Sequence, residues 1–158
     1  MLPAGDSAIF NIPVPISPAG VQIDGVGVYI DPAVPAHFPN KVELKETIGV
    51  NVLLDTPNLL VRIWRAGSEI FYARVEYEDL FNDHGIISLH MVDINVPAGT
   101  QNYQLIVQNQ DPNAHAVVVG PVIFSAWQSG ANASGLAWSG QQRGFLCRIR
   151  EDAGEALF

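Results

Sequence analysis

The chain has 158 residues, of which 48% are hydrophobic and only 15% charged, with 14 glycines and 11 prolines. That length supports one sizeable core, and the composition argues against a disordered chain and against a helical bundle rich in Glu and Lys. The formal net charge of -8 repels polyanions and excludes nucleic acid as a partner class, while no apolar run of about 18 residues is present to cross a bilayer as a helix.

Strand-like segments rich in β-branched residues, separated by Pro, Gly and Asn, recur along the chain. They fall at 8–16, 21–30, 41–54, 59–65, 69–77, 86–94, 102–109 and 115–127. Short strands at such even spacing predict an all-β fold, a jelly-roll-like antiparallel β-sandwich of about eight strands. The expected organisation is an N-terminal arm or edge strand over 1–18, a sandwich over 19–127, and a Gly/Ser-rich linker with a short C-terminal strand over 128–158.

In the first segment Phe10, Ile12, Val14 and Ile16 alternate with Asn11, Pro13 and Pro15. Backbone donors alternate from edge to edge with period two, so both prolines delete donors on one edge and leave the other able to pair. Two readings stay open: an ordinary edge strand guarded against aggregation, or an arm that adds itself to a neighbouring subunit's sheet. Gly25 and Gly27 follow within an apolar strand, without the third glycine and helix of a phosphate-binding loop, and fit a bulge or close packing.

Leu59, Val61 and Ile63 alternate with Arg62, and Tyr103, Leu105 and Val107 alternate with Gln104 and Gln108. Each set names one buried and one wet face. Ala66-Gly67 suits a tight hairpin and Val96-Pro97-Ala98-Gly99 a proline-preset turn, while Glu76 to His84 is the one stretch with the look of a helical turn. Val117 to Val119 and Val122 to Phe124 are apolar on both faces, which fits either a central strand or a strand with one face in an interface.

Residues 128–144 read as an irregular linker. Phe145-Leu146-Cys147-Arg148-Ile149-Arg150 then resumes strand character, with Phe145, Cys147 and Ile149 on one face and the arginines on the other. Cys147 is the single cysteine; it is either an inert thiol or a crosslink between chains. Phe10, Ile12, Val14, Ile16, Phe145, Cys147 and Ile149 are thus the candidate assembly residues.

No catalytic constellation emerges. His37, His84, His90 and His115 are scattered with no metal-ligand spacing, no serine sits in a nucleophile elbow, and Glu76, Glu78, Asp79 and Asp83 lack the spacing of a calcium loop. Asn132-Ala133-Ser134 fits a glycosylation sequon, a triplet common by chance. We expect no enzyme activity, no cofactor and no metal. No basic segment precedes an apolar stretch at the N-terminus, so export by a signal peptide is not expected.

The middle of the chain resembles a family of spore-surface proteins of endospore-forming bacteria described as exosporium protein C-like. The resemblance is carried by Val42-Glu43-Leu44 with Ile48-Gly49-Val50, by Leu59-Leu60-Val61-Arg62-Ile63-Trp64-Arg65 with Gly67, Ile70 and Phe71, and by Asp93 with Val96-Pro97-Ala98-Gly99-Thr100, Tyr103, Leu105 and Asn109. Val119-Gly120-Pro121 and Phe124-Ser125-Ala126 complete it. It implies a non-catalytic building block of a spore coat, exosporium or appendage filament, made in the mother cell without export, with itself and other spore-surface proteins as partners. The alternative is a trimeric jelly-roll binding module for carbohydrate or receptor recognition, or for decorating a phage particle.

Overall fold

A computed structural model describes residues 11–35, 38–77 and 84–130. Among them are eight strands and no helix: β1 Ile12–Pro13, β2 Val21–Ile30, β3 Asn40–Leu54, β4 Asn58–Arg65, β5 Ser68–Glu76, β6 His84–Ile94, β7 Gly99–Asn109 and β8 His115–Gly130. They form two four-stranded sheets, ordered β1-β8-β3-β6 and β2-β7-β4-β5. Every pairing is antiparallel. First pairs with last, second with seventh, third with sixth and fourth with fifth, so the chain is one long ribbon folded on itself. Rolling that ribbon lays β8 beside β3 and β7 beside β4, which makes the fold a jelly roll.

Local chemistry sets the corners. Ala66 and Gly67 both take positive φ, 48° and 79°, the mirror-image turn whose twist suits the β4–β5 hairpin. Asn40 brackets the β6–β7 turn: its Nδ2 donates to the Val96 carbonyl at 2.9 Å and its Oδ1 accepts from the Val96 amide at 2.7 Å. Asn109 does the same for the β7–β8 loop, with Nδ2 donating to the Ala114 carbonyl at 2.7 Å and Oδ1 accepting from the Asp111 amide at 3.0 Å. Each buried amide replaces hydrogen bonds that the loop backbone would otherwise lose to burial.

The alternation read from the sequence places the core. Leu59, Val61 and Ile63 of β4 and Tyr103, Leu105 and Val107 of β7 face Val42, Leu44, Ile48 and Val50 of β3 and Val118, Val122 and Phe124 of β8, all in one cluster. In β8 the register slips by two residues opposite Gly49, between the pairs Ile48–Val122 and Val50–Val118. Val119, Gly120 and Pro121 thus stand against the single residue Gly49. The Gly120–Pro121 bond is cis, as is Phe38–Pro39.

Three expectations are corrected. The strand read over 8–16 is, in the described part, only Ile12–Pro13, because the chain leaves the sheet at Pro15 to reach the other layer. Gln128, Ser129 and Gly130, read as linker, are strand and pair with Val42, Lys41 and Asn40. Glu76 and His84, read as ends of a helical turn, are strand residues. The intervening 78–83 lie outside the described residues, as do His37, the sequon at Asn132 and the whole of 131–158.

Candidate functional site

The predicted N-terminal assembly residues divide. Ile12 pairs with Val118 of its own β8 and packs on the core, Val14 is buried, and Ile16 is 45% exposed. Phe10, Phe145, Cys147 and Ile149 lie outside the described residues. The proline logic holds in the described part: the Val14 amide, between Pro13 and Pro15, donates inward to the Ala116 carbonyl at 3.0 Å, and the prolines offer no donor on the outer edge.

Beyond Val14 the chain is tied to the second sheet. The Pro15 carbonyl accepts from the Asn109 amide at 2.9 Å, the Ile16 carbonyl from Gln108 Nε2 at 3.2 Å, and the Pro18 carbonyl from Arg62 Nη1 at 2.7 Å. Arg62 also donates to Gln108 Oε1 and stands 3.5 Å from Glu69. The link at 15–20 is therefore clamped, whereas β1 itself is held by a two-residue ladder.

Among the described residues that leaves much of one edge of β8 uncovered. On its β3 side β8 is paired from His115 to Gly130, but on the β1 side only Val117 and Val118 have strand partners. From Val119 to Gly130 the second edge of β8 has no strand partner among the described residues. This run carries no charged residue and one proline, Pro121. A long, uncharged edge is a template for another strand.

A second surface was missed at the sequence level. On the outer face of β2-β7-β4-β5, Trp64 is registered between Gln104 and Glu69, and Arg62 between Ile106 and Tyr72. Gln104 Nε2 donates to Gln22 Oε1 at 3.0 Å, and Tyr72 is 64% exposed. The signal was the wet half of the same alternation that named the core: Arg62 and Trp64 between Leu59, Val61 and Ile63.

Inside the sandwich stand two polar features. Asp93 of β6 accepts from Arg65 of β4 and from the Tyr103 hydroxyl of β7, the latter at 3.0 Å, joining the two sheets. Burial, reinforced by the Asp93 carboxylate, pushes the Tyr103 phenol upward. Glu46 of β3 is 2% exposed, and neither carboxyl oxygen has a hydrogen-bond partner.

The histidines do not converge. His90 lies 3.6 Å from Glu43 on the outer face of β3 and β6, while His84 and His115 begin β6 and β8. Of the acidic run, Glu76 accepts from Asn58 Nδ2 at 3.3 Å; Glu78, Asp79 and Asp83 are outside the described residues. Among the described residues no three His, Cys, Asp or Glu side chains are grouped to hold a metal ion. Neither a scan against protein-family models nor a search of the curated proteins gives a match to this chain.

Proposed function

We propose that this chain is a non-catalytic, self-assembling structural protein of a bacterial spore surface or surface fibre, whose subunits join through their terminal strands. The observation that carries the reading is the β8 edge from Val119 to Gly130, without a strand partner among the described residues, beside a β1 that in those residues holds two ladder pairs. The edge that β1 begins to cover within its own chain is the edge a neighbour's terminal strand completes. Backbone hydrogen bonds then supply affinity, and the uncharged side chains of β8 keep the seam dry. The spore setting rests on the resemblance around Leu59 to Phe71 and Val96 to Asn109, and the net charge of -8 fits a partner that is protein and not nucleic acid.

The test is electron microscopy and sizing of the purified full chain beside a deletion of residues 1–16. Filaments or large oligomers that the deletion abolishes support the reading. A deletion as oligomeric as the full chain removes the arm from it, and a full chain that stays monomeric at all concentrations overturns it.

A binding module is the second reading, favoured by the outer face bearing Trp64, Tyr72, Gln104 and Gln22. An aromatic ring beside planar amides suits a sugar ring, which stacks on one and hydrogen-bonds to the other. A compact trimer that binds a soluble glycan, and loses it in Trp64→Ala and Tyr72→Ala, favours this reading over the first.

A further inference from the structure

Glu46 sits where a leucine would be expected. It occupies the inward parity of β3 with Val42, Leu44, Ile48 and Val50, all of them fully buried. Its cross-strand neighbours are Phe124 of β8 and Leu89 of β6. With 2% exposure and both oxygens unpartnered, it is a carboxyl group in an apolar interior. An ionised carboxylate there forfeits its hydration without any compensating cation or donor, whereas a neutral acid forfeits far less.

Other charged and titratable groups also face the interior, and none is a hydrogen-bond partner of Glu46. On β6 the inward acid is Asp93, committed to Arg65 of β4 and to the Tyr103 hydroxyl of β7. On β2, Asp24 accepts from the Gly25 amide at 2.7 Å through Oδ1, while its Oδ2 is buried without a partner and burial raises its carboxyl, a background that the native chain and both Glu46 variants share. Tyr77 follows β5 and lies against Gly85. The inward residues of β5 and β8 in the core are uncharged. Burial alone acts on Glu46, and it holds the carboxyl up at about 8.

We propose that Glu46 is a proton-operated latch on the sandwich, closed while its carboxyl is neutral and released when that proton goes to solvent. Neutral, the acid packs between Phe124 and Leu89 and lets β3 lie against the opposite sheet. Ionised, it is tolerated only where water reaches it, so losing the proton draws β3 away from the core. The direction follows from linkage. The folded-state value lies above the unfolded one of 4.5, so the stabilisation is complete below that value and is lost as pH rises through about 8. Within that window each pH unit raises the unfolding equilibrium constant by about tenfold, the slope for one proton.

The test is the unfolding equilibrium of the full chain between mildly acid and mildly alkaline pH, for the native sequence, Glu46→Gln and Glu46→Leu. The native chain is expected to weaken by close to tenfold per unit across the window, and the two variants to lack that component of the slope. Parallel pH profiles for all three overturn the proposal. A carbon-13 NMR titration of the Glu46 carboxyl in the native chain reports independently of whether either variant folds. A midpoint in the ordinary carboxylate range overturns the latch, and one near neutrality or above supports it. Neither outcome depends on whether the chain assembles.

Discussion

Gly49 of β3 lies against the backbone of Gly120 in β8, so closely that a Cβ at position 49 would overlap the Gly120 carbonyl and stand 2.8 Å from the Pro121 nitrogen. The β8 bulge folds over the single position in β3 that has no side chain. Both obstructing groups are backbone and cannot swing aside. Gly49→Ala is expected to lower stability by about 2 kcal/mol or more, as overpacking of a close contact does. Chemical denaturation measures it; a variant as stable as the native chain would show that the bulge is free to move.

Asp93 is the meeting point of Arg65 and Tyr103, and it crosses between the sheets. Tyr103→Phe removes one hydrogen bond to a charged acceptor and is expected to cost roughly 1.5 to 3 kcal/mol. Asp93→Asn is expected to cost at least as much, because the partly buried Arg65 guanidinium keeps its charge and loses its counter-ion. A double-mutant cycle of Tyr103→Phe and Asp93→Asn on denaturation midpoints checks the coupling: additive costs would mean that the hydroxyl and the carboxylate are not coupled.

The two bracketing asparagines give a paired prediction. Asn40→Ala leaves the Val96 amide and carbonyl unpaired at one end of the sandwich, and Asn109→Ala leaves the Asp111 amide and Ala114 carbonyl unpaired at the other. Each is expected to lower stability by about 1 to 3 kcal/mol, with faster hydrogen exchange confined to its own loop. The two lie at opposite ends, so their costs should add.

The open edge of β8 predicts a pattern of amide protection. The Ala116 carbonyl points toward β1, since it accepts from Val14. A strand residue turns its N–H and C=O to the same side, and the two-residue slip at Gly49 preserves parity. Val122, Phe124, Ala126 and Gln128 therefore aim their amides at the open edge. In assembled protein these four should be protected from exchange, and removal of residues 1–16 should expose them. Protection unchanged by that removal would assign the edge to another occupant.

Much of this fold is legible in the sequence because its strands carry alternation strong enough to name their faces: Leu59, Val61 and Ile63 are the clearest. Turn chemistry at Ala66-Gly67 also reads directly, since positive φ is a local property. What does not read is long-range. The alternation from Phe10 to Ile16 gives no hint that Asn109 and Gln108 capture the carbonyls of Pro15 and Ile16 and pull the chain into the other layer. Gln128 and Ser129 look like linker until Val42 and Lys41 supply a ladder for them.

The candidate site is legible to a lesser degree. Pro13 and Pro15 announce a one-edged segment, but the open stretch of β8 depends, among the described residues, on the mismatch between a two-residue β1 and a sixteen-residue β8. That is a property of the pair and of neither strand alone. Glu46 shares the period of Val42, Leu44 and Ile48, and its burial follows from that period once β3 is known to be covered by the opposite sheet.

The nesting of first strand with last also governs timing. Ile12 and Val118 are about a hundred residues apart, so on the ribosome β1 emerges long before its own partner exists. Pairings this remote in sequence form late and slowly. During that wait the N-terminal strand lacks its own partner, and in the proposed assembly a finished β8 on a neighbouring molecule competes for it. Under that proposal, synthesis rate and local crowding bear on whether a molecule closes on itself or is threaded into the next.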